Sequence, residues 1–69
     1  MRAVMVDLLD DAEGYVPLDV EYGPSSNVRP YTTVNQRHSK LASHSHRVAV
    51  NRAVKLAERL DLPYIPHYA

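Results

Sequence analysis

The sequence predicts a small α+β domain: an N-terminal antiparallel β-hairpin packed against one long C-terminal α-helix, followed by an extended proline-containing tail. Three observations carry this expectation. Residues 15–22, YVPLDVEY, alternate apolar and polar side chains, the two-residue period of a half-buried strand. Residues 39–62, SKLASHSHRVAVNRAVKLAERLDL, repeat their apolar positions at helical spacing,. The stretch between them holds Gly, Pro, Ser and Asn without a sustained period, so residues 23–38 read as a loop or a short third strand.

Taken in order, Ala3–Leu9 is rich in β-branched and apolar residues and reads as a strand,. Val4, Val6 and Leu8 then face one way, and Met5, Asp7 and Leu9 the other. A short helix over MVDLLDDAE is the competing assignment. DDAEG is a polar connector ending in a turn-forming glycine,. In the second strand Val16, Leu18, Val20 and Tyr22 form an apolar face that should meet the helix. Pro17, Asp19 and Glu21 form an acidic outer face. Pro17 cannot donate a ladder hydrogen bond, so this is an edge strand or one whose proline sits at an unpaired position. A hairpin alone is barely stable in water, so it must pack on the helix. Val28–Val34 is the candidate third strand, weakened by Pro30.

On a helical projection Ala42, Ala49, Ala53, Leu56, Ala57 and Leu60 share one side, flanked by Val50 and Val54, and His46 falls within the same arc,. Its expected place is therefore buried against the sheet. Arg47, Asn51, Arg52, Lys55, Glu58 and Arg59 fill the other side, interrupted by Leu41 and Val48. Pro63 disfavours helix at the residue before it, which puts the stop near Asp61. Ser39, Ser43 and Ser45 are equally suited to cap the start, and no Glu or Gln three residues on completes a capping box. The tail, PYIPHYA, carries two prolines three apart and three large side chains, Tyr64, Ile65 and Tyr68. It either folds back on the sheet or anchors another molecule.

Composition limits what this chain does. Sixty-nine residues make a single domain, and with no Cys, Phe or Trp the core must come from Val, Leu, Ala, Met and Tyr. Chains of this size bury only about 60% of their unfolded surface, so a small core of small residues argues for a partner or a second copy. No apolar run approaches the ~18 residues of a membrane span, and no signal-peptide layout is present. The expected location is cytoplasmic. Residues 1–23 carry Asp7, Asp10, Asp11, Glu13, Asp19 and Glu21 against Arg2, for −5; residues 24–69 carry +5. That split fits an acidic sheet neutralised by a basic helix in one molecule, head-to-tail association, or a basic face kept for an acidic partner.

No catalytic set is visible. His44 and His46 are two apart, about 200° around a helix, and cannot share an ion there; no carboxylate lies between the histidines, so neither a metal nor another cofactor is expected,. The order hairpin-then-helix, with His and Asn at hand, resembles in outline the ββα-metal nucleases. The first strand, however, ends in Leu8-Leu9-Asp10, where those enzymes place a general-base histidine. The sequence therefore points to a non-catalytic protein-binding or assembly module, an accessory or inhibitory protein that occupies a partner's surface through Leu41, Val48, Tyr64, Ile65 and Tyr68. The alternative is nucleic-acid binding through Arg47, Asn51, Arg52, Lys55 and Arg59, with the serine-rich helix start on a phosphate.

Overall fold

In the computed structural model, which describes residues 1–9, 14–23 and 31–66, the elements follow as β1 (Arg2–Leu8), β2 (Tyr15–Tyr22), β3 (Tyr31–Arg37), a 3₁₀ turn (Ser39–Leu41), α1 (His46–Leu60) and β4 (Tyr64–Ile65). They form an α+β fold with one sheet in the order β3-β2-β1-β4. The expected hairpin is present: β1 and β2 pair antiparallel from Arg2↔Glu21 to Leu8↔Tyr15. The third strand exists and extends the sheet beyond β2. Residues 10–13, and Val28 to Pro30 of the candidate third strand, lie outside the described residues.

The tail supplies something composition alone does not display. Tyr64 and Ile65 pair parallel with Val4 and Met5, and the Val4 amide donates to the Pro63 carbonyl at 2.9 Å. This makes β1 a central strand, and Ala3, Val4, Met5 and Val6 along it are buried.

The helix covers the face opposite to the one expected. Val4 and Val6 pack with Ala49, Ala53, Leu56 and Ala57 in one cluster. Met5, Val16, Leu18, Val20 and Tyr31 form a second cluster on the other face. Register is the reason: opposite Val4 and Val6 stand Asp19 and Pro17, and directly opposed residues share a face. Pro17 and Asp19, read from the sequence as solvent-facing, are therefore buried on the helix side. The stripe Ala49, Ala53 and Ala57 keeps side-chain bulk low where the helix meets β1.

Strand β2 is interior rather than an edge. The Pro17 carbonyl accepts from the His38 amide at 3.0 Å, so its nitrogen also points toward β3, at the end of that ladder, where an absent N–H costs least.

The helix is shorter than 39–62. Ser45 caps it, its Oγ accepting from the Val48 amide at 3.3 Å. Residues 39–41 form a separate 3₁₀ turn, so Leu41 is not on the helix, and the Leu41/Val48 pair is not a helical repeat. His46 is exposed at the first helical position, edge-on to the Tyr15 ring with centroids 4.8 Å apart. The stop is as expected: Asp61 adopts φ 57° and its amide, with that of Leu62, returns to Glu58 and Ala57 carbonyls, a Schellman-type close.

Gly14 packs against the segment before the helix. A Cβ there would lie 2.8 Å from the Ser43 carbonyl oxygen, beside the Tyr15–Ser43 bridge. Gly14→Ala should therefore destabilise by about 1–3 kcal/mol, the usual cost of forced overpacking, read as a lower urea midpoint. The radius of gyration, 11.0 Å, matches the ~11 Å scaling for a folded chain of this length. Compactness of this degree does not itself call for a partner.

Candidate functional site

The two edges of the sheet differ. At one, β4 is two residues long and bounded by Pro63 and Pro66, which blunts it as a template for pairing. At the other, β3 is seven residues long, and all but Tyr31 are exposed. Among the described residues no strand lies outside it. Its run TTVNQ holds no proline and no charge, and Val34 is 42% exposed. Proline and charge, two of the usual guards of an edge strand, are missing from this run. Two register shifts against β2 leave Asn35 and Thr32 as extra residues on β3; such bulges bend and twist a strand.

The C-terminal end of β3 runs into a groove of about 410 Å³ lined by Gln36, Arg37, His38, Ser39, Lys40 and Leu41. Among the described residues its lining includes two permanent cations and no carboxylate. The His38 Nε2 is shut away from solvent with no hydrogen-bond partner. The Arg52 guanidinium donates to the Leu41 and Ala42 carbonyls at 3.4 and 3.1 Å. It straps the 3₁₀ turn to the helix.

The carboxylate opposite Gln36 is already committed. Asp19 is 1% exposed and accepts from Arg2 at 3.0 Å (Nε to Oδ1) and 2.7 Å (Nη2 to Oδ2), and from Asn35 Nδ2 at 3.4 Å. The hydrogen bond from Arg2 holds its carboxyl below the usual range, against the opposing effect of burial, with Asn35 and the charge of His38 helping. The second buried carboxylate, Asp7, accepts from the Tyr31 hydroxyl at 2.7 Å and from the Leu8 amide at 2.7 Å.

The remaining residues singled out in the sequence are dispersed. Leu41 is half-buried against the helix-side cluster, and Val48 is half-buried. Tyr64 packs on the helix-side cluster and Ile65 on the opposite one, so much of their apolar surface is already spent inside the fold. Tyr68 lies outside the described residues. Arg47, Asn51, Arg52, Lys55 and Arg59 are exposed. Arg47, Lys55 and Arg59 make no ion pair among the described residues, so the helix cations are not neutralised by the sheet carboxylates. Among the described residues no three His, Asp or Glu cluster as metal ligands, and no helix is long and apolar enough to cross a membrane.

Sequence reading missed β3 and its groove as a surface. The available signal was the uncharged, proline-free run Thr32–Gln36 leading into Arg37, His38 and Lys40.

Tyr64 provides a test of what its hydroxyl is for. That oxygen is buried with no partner, and burial pushes its ionisation upward. Removing an unsatisfied buried group is neutral or favourable, so Tyr64→Phe should leave the thermal midpoint unchanged or raise stability by about 1 kcal/mol. A clear loss would show that the hydroxyl has a partner in solution.

Compared with models of known protein families, with curated proteins and with solved structures, the chain matches none.

Proposed function

We propose that this protein is a non-catalytic protein-binding module, an accessory or inhibitory subunit that takes an extended segment of its partner along β3. The observation that carries the reading is the long open edge: six consecutive exposed residues of β3, where the opposite edge is the short, proline-flanked β4. Strand addition draws affinity from main-chain hydrogen bonds and selectivity from alternate side chains. The two bulges favour a short segment over a flush sheet-to-sheet pairing, because a bent edge cannot stay in register with a long flat one. The reading needs no cofactor, metal or membrane, and a cytoplasmic location is proposed with it.

The experiment is to pan a random peptide library against the protein and map bound peptides by amide chemical shifts. Enriched peptides should be β-branched and should perturb residues 31–37. The exposed double substitution Thr33→Lys/Val34→Lys should abolish binding while the circular dichroism spectrum is unchanged. Peptides that map instead to α1 would overturn the reading.

A second reading rests on a separate observation, the unpaired cations Arg47, Lys55 and Arg59. If these contact nucleic-acid phosphates, affinity should fall steeply with salt, log K dropping by about 0.9 per phosphate contacted for each tenfold rise in salt on duplex DNA. Lys55→Ala/Arg59→Ala should then abolish binding. Arg52 is a poor test, because its loss also frees the 3₁₀ turn.

A further inference from the structure

We infer that the groove at the end of β3 receives a carboxylate carried by the partner segment, so that the preferred ligand is an extended peptide with an acidic residue beyond its β-pairing run. This rests on the strand-addition reading and adds the partner's chemistry to it. The groove of about 410 Å³ begins where β3 ends, so a segment paired along the edge runs directly into it.

Its walls are matched to an oxyanion. Lys40 is exposed and contributes a mobile ammonium. Ser39 and Gln36 contribute neutral donors, and Arg37 adds positive charge although it has an interaction of its own. Among the described residues no carboxylate lines the groove. Asp19, close enough for the His38 charge to act on it, is buried and held by Arg2 and Asn35. Among the described residues nothing in the lining therefore neutralises Lys40. His38 also lines the groove, but its Nε2 is closed off from solvent and has no hydrogen-bond partner among the described residues, so the oxyanion is left to Lys40, Ser39 and Gln36. The strap from Arg52 to the Leu41 and Ala42 carbonyls holds the groove's far wall in place, so less ordering remains to be done on binding.

Charge alone would also suit a nucleic-acid backbone. Strand-type binding of single-stranded nucleic acid relies on aromatic platforms for the bases. Among the described residues no tyrosine lines this groove. Tyr31 is buried, and Tyr15, Tyr22 and Tyr64 are half-buried against the two cores. The neighbouring edge offers main-chain donors and acceptors, which peptides use and bases do not.

The test uses the full chain and the same peptide library. Enriched peptides should carry Asp or Glu next to the β-branched run and should shift the amides of residues 36–41 as well as 31–35. Changing that acid to its amide should weaken binding about tenfold, the scale of a charge-assisted hydrogen bond. Lys40→Glu should weaken binding as much, and in that variant the acid-to-amide change in the peptide should no longer matter. Lys40 is exposed, so the fold should persist, with circular dichroism as the check. If neutral peptides map to residues 31–35 and Lys40→Glu changes nothing, strand addition stands and the carboxylate site falls. If no peptide maps to β3, both fall. If a short oligothymidylate shifts residues 36–41 and displaces the peptide, the groove is a nucleic-acid site and this inference is overturned.

Discussion

Arg2→Ala is expected to destabilise the protein more than Asp19→Asn, although Arg2 is the more exposed member of the pair. The side chains are 53% and 2% exposed respectively. Removing Arg2 strands a buried carboxylate with only the weak Asn35 contact at 3.4 Å, and an uncompensated buried charge is costly. Removing the charge from Asp19 leaves a guanidinium that turns into water. The loss for Asp19→Asn should be about 1.5 kcal/mol, the low end for a hydrogen bond to a charged group, because the half-exposed partner is screened by solvent. The pair also sets the acid limb of stability. The folded Asp19 carboxyl titrates below its ordinary value, so its contribution is fully present above the unfolded value of about 3.9. It is lost as pH falls from there through the lower folded value. Urea midpoints measured from pH 6 down to pH 2 should fall more steeply for the parent than for Asp19→Asn. Parallel curves would remove Asp19 from the account.

The second large effect is expected at Met5. It is fully buried in the middle of β1, opposite Leu18 on one side and beside Ile65 on the other. Met5→Ala should cost about 2–5 kcal/mol, the range for truncating a buried Met, Leu or Ile. At the usual ~0.05–0.15 kcal/mol per residue, a chain of 69 residues has a total stability of the same order as that loss. The variant should be substantially unfolded at room temperature by chemical denaturation. Val34→Ala, at an exposed position, should change the midpoint little. Comparable losses at the two positions would mean that β3 is covered in solution.

The local signals in the chain proved sound where a single period or a single residue decides the outcome. Alternation from Val16 to Val20 marks β2, and Pro63 stops the helix at Asp61. The faces were not legible, because one strand's alternation does not say which side its neighbour presents. Val4 and Val6 attract the helix, and register then carries Pro17 and Asp19 under it. An Asp in a strand reads as solvent-facing until its partner is known, and Arg2 is seventeen positions away. The helix start was undecidable among three serines, and only the 3₁₀ turn and the Tyr15–Ser43 bridge select Ser45. Strand β4 is two residues long, too short for any period, and exists through pairing with residues sixty positions earlier. The candidate groove was hidden for a related reason: it forms at a corner whose shape depends on where β3 stops.

The parallel pairing of Val4 and Met5 with Tyr64 and Ile65 sets the order in which a growing chain can fold. On the ribosome, β1 and β2 can zip together early, but β1 acquires its other neighbour only after residue 65 has emerged. Such a distant closure slows folding. Until then one edge of β1 stays unpaired, and a chain truncated just before Pro63 should be sensitive to protease under conditions in which the 69-residue chain is resistant.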